Sequence, residues 1–265
     1  MKNESSSRLV VRQPRNLDEL EALLRLRYTV FQQSELRFLL HDNAFGLDVD
    51  AWDKLAWHFG LYKQTSDGFQ LIGYMRFIHN GPQCAHLVYA LGRKYPALAG
   101  TIAKAPSQSF PLLARSSRHL SPDVLHRFES MPPGKLVETS RFVLLDSEKS
   151  PITCRFMVQA ATTFCLLNQG VETIFQVSAH HATCYERFGY RPIIQYKYEE
   201  LPYETVLIHA SLNNLEQKNL PRLHRMAAAF EAAQEIWYNP DEPENYHAPT
   251  NTETPAYQLS ALNEV

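Results

Sequence analysis

KLVETSRFVLL, residues 135–145, and CRFMVQAATTFCLLNQG, residues 154–170, are the stretches on which the fold turns. The first is rich in β-branched and aromatic side chains and predicts a strand. In the second, Phe156, Ala160, Phe164 and Leu167 recur at helical spacing and Gly170 offers a C-cap, so a helix follows that strand. A further step comes at once. ETIFQVSA (172–179) has the pattern of a buried strand, and HATCYERFGY (181–190) that of a short helix ending at Gly189. Two consecutive strand-to-helix steps call for a sheet flanked by helices.

Working outward, Leu9, Val10 and Val11 form a β-rich run. Asn16 then offers an N-cap to LDELEALLRLRYTVF (17–31), where Leu17, Leu20, Leu23, Leu24 and Val30 share a helical face. LAWHFGLYKQ (55–64) and FQLIGYMRFIH (69–79) read as strands joined by the turn signal Ser66-Asp67-Gly68. Residues from about 80 to 135 hold several prolines and no clean period, which predicts an irregular insertion with a short helix near Ala97 to Ala103. IIQYKYEE (193–200) and TVLIHASL (205–212) read as a terminal strand pair, and NLPRLHRMAAAFEAAQEIWY (219–238) as a helix with Leu220, Leu223, Met226 and Phe230 in register. From Asn239 onward the composition predicts a loose end. The expectation is an α/β (α+β) chain with a mixed central sheet flanked by helices. Its domain covers 1–212, with the insertion at about 80–135; a C-terminal helix fills 213–238 and a flexible tail 239–265.

Lys and Arg number 26 against 28 Asp and Glu, a formal net charge of -2 with no basic block, which argues against nucleic acid as a partner. No apolar run reaches the roughly 20 residues of a membrane helix, and the first residues hold no hydrophobic signal core, so no integral membrane segment and a cytoplasmic location are expected. Cys84, Cys154, Cys165 and Cys184 make no CxxC pair, which points away from zinc and from a disulfide framework.

Charges inside structured segments are the candidates for chemistry: Arg27, the run DVDAWD with Asp48, Asp50 and Asp53, Arg76 in one strand, and Glu138 and Arg141 in another. A charge among apolar neighbours is costly unless paired or functional, so the arginines must find partners among the aspartates and Glu138. Plain strand alternation puts Glu138 and Ser140 on one face and Arg141 with Thr139 on the other. The aspartate run fails as a calcium loop, because its sixth position, which needs glycine, is Asp53. In CYERFGYRP (184–192), Tyr185 projects away from Phe188, free to face a ligand while the phenylalanine packs.

The order of elements and CYERFGYRP resemble the GCN5-related N-acetyltransferase (GNAT) fold. More specifically, RYTVF (Arg27, Phe31), DVDAWD, GYMRF (Gly73, Arg76) and ETSRF (Glu138, Ser140, Arg141, Phe142) resemble the acyl-homoserine-lactone synthases and their relatives, the N-acyl amino acid synthases. The resemblance runs from about Leu17 to Ile194. It implies an acyltransferase that moves a long-chain acyl group from a phosphopantetheine thioester, on acyl carrier protein or CoA, to an amine acceptor, with no permanently bound cofactor and no metal. The implied catalytic residues are Glu138 as base and Tyr185 as donor to the departing thiolate. Arg27, Phe31, Asp50, Asp53, Arg76, Ser140 and Arg141 are the implied substrate-site residues, and a backbone N–H near Phe142 or Val143 is the oxyanion donor.

Two departures favour an amino-acid acceptor over S-adenosylmethionine. The sixth residue after Phe31 is Arg37, followed by Phe38, where the lactone synthases carry Trp, and the acidic run opens with Asp48 where they have Glu. The loop DSEKSPITCRF (146–156) has no glycine to cradle a pyrophosphate, which leaves a carrier-protein donor compatible, with Lys149 and Arg155 placed to meet an acidic carrier. A lactone synthase and a non-catalytic module that binds an acyl group or acyl carrier protein stand as alternatives.

Overall fold

Asn16 opens the first helix as its composition predicts: its Oδ1 accepts the Glu19 N–H at 2.9 Å. In this computed structural model, which describes residues 8–79, 85–106, 110–249 and 257–258, the chain runs β1 (Leu9–Arg12), α1 (Leu17–Gln32), β2 (Ala56–Thr65), β3 (Gly68–Ile78), α2 (Ala85–Lys94), α3 (Pro96–Ala103), α4 (Pro111–Ser116), α5 (Pro122–Glu129), β4 (Leu136–Leu144), α6 (Pro151–Thr162), β5 (Glu172–Ser178), α7 (Ala179–Glu186), β6 (Arg191–Lys197), β7 (Glu204–Ala210), α8 (Leu220–Ala233) and β8 (Glu235–Tyr238). The eight strands form one sheet in the order β6-β7-β5-β4-β3-β2-β1-β8, and β9 (Tyr257–Gln258) pairs in parallel with Phe69 and Gln70. Only β4–β5 is parallel among the eight; every other neighbouring pair is antiparallel.

Both faces are covered. On one, α6, α7 and α8 pack over Phe59, Phe77, Val137, Leu144 and Val177. On the other, α1 packs its Leu23, Leu26 and Phe31 over Tyr62, Leu71, Tyr74 and Val143. Among the described residues no helix is long and apolar enough to cross a membrane.

Three readings need correction. The insertion holds the short helix expected near Ala97 to Ala103, as α3, but is helical elsewhere rather than irregular: Pro96, Pro111 and Pro122 start helices in first-turn positions that need no N–H donor. Its first two helices pack on α1 through Val88, Leu91 and Ile102, and its last two bury Leu112, Leu113 and Phe128 against β4, β5 and β7. The late helix stops at Ala233, where Gln234 turns left-handed (φ 59°), and Glu235–Tyr238 becomes a strand beside β1. Beyond Asn239, Tyr246 is buried and its carbonyl accepts the Trp237 N–H at 3.0 Å. Cys154, Cys165 and Cys184 are free thiols, and Cys84 lies outside the described residues.

Two irregularities shape the sheet. β4 and β5 pair only from Leu136↔Glu172 to Thr139↔Phe175, so the parallel strands part beyond Thr139. β6, the outermost strand at one margin, shifts register between Pro192 and Ile194.

Candidate active site

Arg27 and Phe31 lie one helical turn apart on the face of α1 that meets the sheet, and the loop from Asp48 to Asp53 wraps beneath them. Arg27 is fully buried. It grips Asp53 with two parallel bonds of 2.9 Å, donates to the Tyr74 hydroxyl at 3.0 Å and to the Asp48 carbonyl. Its Nε sits 2.8 Å from Asp48 Oδ2 without hydrogen-bond alignment, so that contact is coulombic alone. Arg76, opposite Ser140 in the β3–β4 ladder, bonds both Asp50 oxygens and Asp53 Oδ1 at 2.8 Å, and its Nε reaches Ser140 Oγ at 3.2 Å.

Arg141 completes the set, and here strand alternation fails. Three β4 steps from Ser140 to Val143 face two β3 steps from Arg76 to Tyr74, and Arg141 takes a left-handed backbone (φ 56°) inside this bulge. The bulge turns its side chain onto the face of Glu138 and Ser140 rather than the opposite one. Its guanidinium lies over the Phe31 ring at 5.0 Å, 3.6 Å from Asp48 and 3.8 Å from Asp50, and donates to the Leu39 carbonyl at 2.9 Å. Its side chain is 8% exposed, and Nη1 is buried with no hydrogen-bond partner among the described residues.

Three arginines thus face three aspartates in a closed network. Burial alone would raise the Asp53 carboxyl, yet Arg27 and Arg76 hold it well below the ordinary carboxylate range; Asp50 is lowered, with Arg76 the chief opponent of its burial. His58 and Tyr74, which the sequence reading passed over, belong to the same cluster. His58 bridges the Tyr74 hydroxyl and the Asp53 carbonyl at 2.9 Å each, and burial pulls its imidazole down to about 4, so it is neutral at physiological pH. The signal for both was polar groups on alternate strand positions that share the face of Arg76.

Glu138 stands apart from this pairing. It is 2% exposed, and Oε2 accepts the Leu112 N–H of α4 at 2.7 Å. Burial pushes its carboxyl up to about 7, partly opposed by that bond and by Arg76 and Arg115. It sits one residue before the last pair of β4 with β5. The N–H of Leu145 donates to the Ile72 carbonyl at 2.9 Å, Val143 pairs with Tyr74, and Phe142 lies within the bulge between Ser140 and Val143.

The remaining candidates scatter around the gap. The Phe142 ring lies 6.4 Å from that of Phe175. Tyr185 is buried on the far face of the sheet from Glu138, its ring 5.4 Å from Phe175 and 5.7 Å from Tyr190, and burial raises its phenol. Tyr185 is therefore a core residue as well as a neighbour of the gap, and Phe188 packs in the same cluster. Lys149 pairs with Asp146 at 2.5 Å on the surface, and Arg155 is exposed in the second turn of α6, whose start is capped by Ser150. Neither touches the arginine–aspartate network.

Residues 26–157, from α1 into α6, match the family model described as an acetyltransferase (GNAT) domain. Among solved structures the chain is similar to FeeM, an N-acyl amino acid synthase from uncultured soil microbes, at 16% identity and a TM-score of 0.47 over 77% of this chain and 91% of that one. It is similar to BjaI, a CoA-dependent acyl-homoserine lactone synthase, at 18% and 0.44 over 79% and 82%. An acyl-CoA N-acyltransferase from Pseudomonas aeruginosa is similar at 16% and 0.42 over 77% and 99%. No curated protein matches.

Proposed function

The chain carries an acetyltransferase domain of the GNAT family over residues 26–157, and from that premise we propose an N-acyltransferase that joins a long-chain acyl group, delivered as a phosphopantetheine thioester, to the amine of an amino acid. The observation that carries the reading is the parting of β4 from β5 one residue after Glu138, a buried carboxyl poised near 7. A base must titrate near the working pH to take up a proton and release it again.

In this reading the acceptor nitrogen yields its proton to Glu138 and attacks the thioester carbonyl. The Phe142 N–H receives the oxyanion. Collapse forms the amide and expels the pantetheine thiolate. Tyr185, kept protonated by burial, serves that thiolate as a hydrogen-bond donor; a phenol so raised is too weak an acid for complete transfer. Arg27 and Arg76 each hydrogen-bond aspartates, whereas Arg141 hydrogen-bonds the Leu39 carbonyl and no carboxylate among the described residues and keeps a buried Nη1 unused, so it is the residue to meet the acceptor's carboxylate. Asp48, Asp50 and Asp53 hold these guanidinia in place, and Phe31 supports Arg141.

Acyl carrier protein is the favoured donor. Beside the gap, the segment 146–150 before α6 has no glycine whose amide could close on a pyrophosphate, and its Asp146 and Glu148 are already paired with Lys149 and Lys63. Lys149 and Arg155 then face the carrier. Mass spectrometry of lipid extracts from cells overproducing the protein, followed by assays with acyl carrier protein and CoA thioesters, tests the whole reading. N-acyl amino acids are expected. Methylthioadenosine release with a lactone product would replace the acceptor by S-adenosylmethionine, and absence of any transfer would leave a binding module.

A further inference from the structure

Helix α4 reaches the active site from an insertion that the motif resemblance does not account for. Leu112 supplies the amide that holds Glu138, and Arg115, one helical turn on, lines an open cleft of about 400 Å³. Phe38, Leu39, Arg118, Tyr198 and Glu200 line the rest of this cleft. Two features tie it to the chemistry. Leu39, on its wall, takes the Arg141 Nη2 bond through its carbonyl, which places Arg141 behind that wall. Arg115 acts on the Glu138 carboxyl electrostatically from the other side.

Arg115 and its neighbour Arg118 are exposed and have no carboxylate partner within 4 Å among the described residues. Arg115 and Arg118 outnumber Glu200, so the cleft carries net positive charge. The unpaired Arg115 on one wall is the donor that a carboxylate entering the cleft would meet first, and the buried, unsatisfied Arg141 Nη1 lies behind the other wall, within reach only where Leu39 yields. The volume suits one amino acid. In this reading the long acyl chain takes the gap between β4 and β5.

Resting on the N-acyltransferase reading, we propose that this cleft admits the acceptor and that Arg115 is a specificity-determining residue: it receives the acceptor's carboxylate together with Arg141 and delivers the amine to Glu138. The consequence is discrimination against amines that lack a carboxylate.

The test compares kcat/KM for free amino acids and for their carboxamides, at a saturating dodecanoyl thioester, in the wild type and in Arg115→Gln and Arg115→Lys. The wild type should prefer the acids. In Arg115→Gln that preference should shrink about 10- to 100-fold, the loss expected for one charge-assisted bond, and Arg115→Lys should recover part of it. Equal use of acids and amides by the wild type, or a preference unchanged in Arg115→Gln, overturns the assignment. Calorimetry with N-dodecanoyl amino acids against their amides reads the cleft without turnover. A protein that transfers no acyl group yet binds the acids more tightly, through Arg115, would sink the catalytic reading and keep the cleft; equal affinities would sink the cleft.

Discussion

Glu138, with its carboxyl near 7, exchanges its proton across the neutral range, and this has opposite consequences for catalysis and for stability. The base form grows as pH rises, so kcat/KM should climb with an apparent pKa near 7 and then level. Folding runs the other way. A carboxyl raised from its ordinary 4.5 contributes stability that is full below that value and is lost as pH climbs through about 7. Glu138→Gln should therefore lower activity by about 10²- to 10⁴-fold while raising the thermal midpoint at pH 8 relative to the wild type. A variant that keeps its turnover removes the base assignment. Asp53 is the opposite kind of residue: it holds both Arg27 and Arg76, so Asp53→Asn leaves two buried guanidinia short of a charge. A loss of about 3–5 kcal/mol is expected in urea unfolding, and an unchanged midpoint would show the network to be dispensable.

At the scale of elements, α4 binds the site to the insertion through one backbone amide. Leu112→Pro deletes that donor near a helix start, where proline is tolerated, while Leu112→Ala keeps the amide and trims only packing. Losing a bond to the charged form should move the activity profile to higher pH in Leu112→Pro alone, and superimposable profiles for the two variants would refute the amide's part. The same helix marks what the sequence hides. Strands β2 to β5 and helices α1 and α6 were legible because their apolar periods are long and their caps conventional. The helix after Pro96 was legible near Ala97 to Ala103, but Pro111 and Pro122 concealed the two that follow, because a proline that starts a helix and one that breaks it are the same letter until the packing is known. Arg141 was placed on the wrong face for a related reason, since a bulge adds one residue to a strand without changing its composition. The aspartate run was legible as a partner for the arginines; which carboxylate meets which guanidinium depends on that bulge and on a loop with no period. His58 and Tyr74 went unread because a histidine and a tyrosine in apolar strands look like packing.

For the molecule as a whole, the two sides of the sheet divide the labour. The charged network, Glu138 and the cleft share the α1 side, while Tyr185 lies on the α6–α8 side, so a substrate lying in the gap between β4 and β5 would be reached from both. The sheet's margins differ as well. β8 caps the flank of β1, and the segment around Tyr246 in turn covers β8 through the Trp237 bond. The opposite margin, β6, has no strand outside it in this order, and its defences are Pro192, the register shift beside it and the exposed Arg191 and Lys197. Straightening that strand, for instance with Pro192→Thr, would hand two molecules a ready seam along which to zip together, visible in light scattering as mass that grows with concentration. That kinked hem of the fabric is also stitched to the acceptor side, since its Tyr196 meets the Ser116 hydroxyl of α4 at 2.6 Å, so a molecule zipped along it would strain the cleft as well.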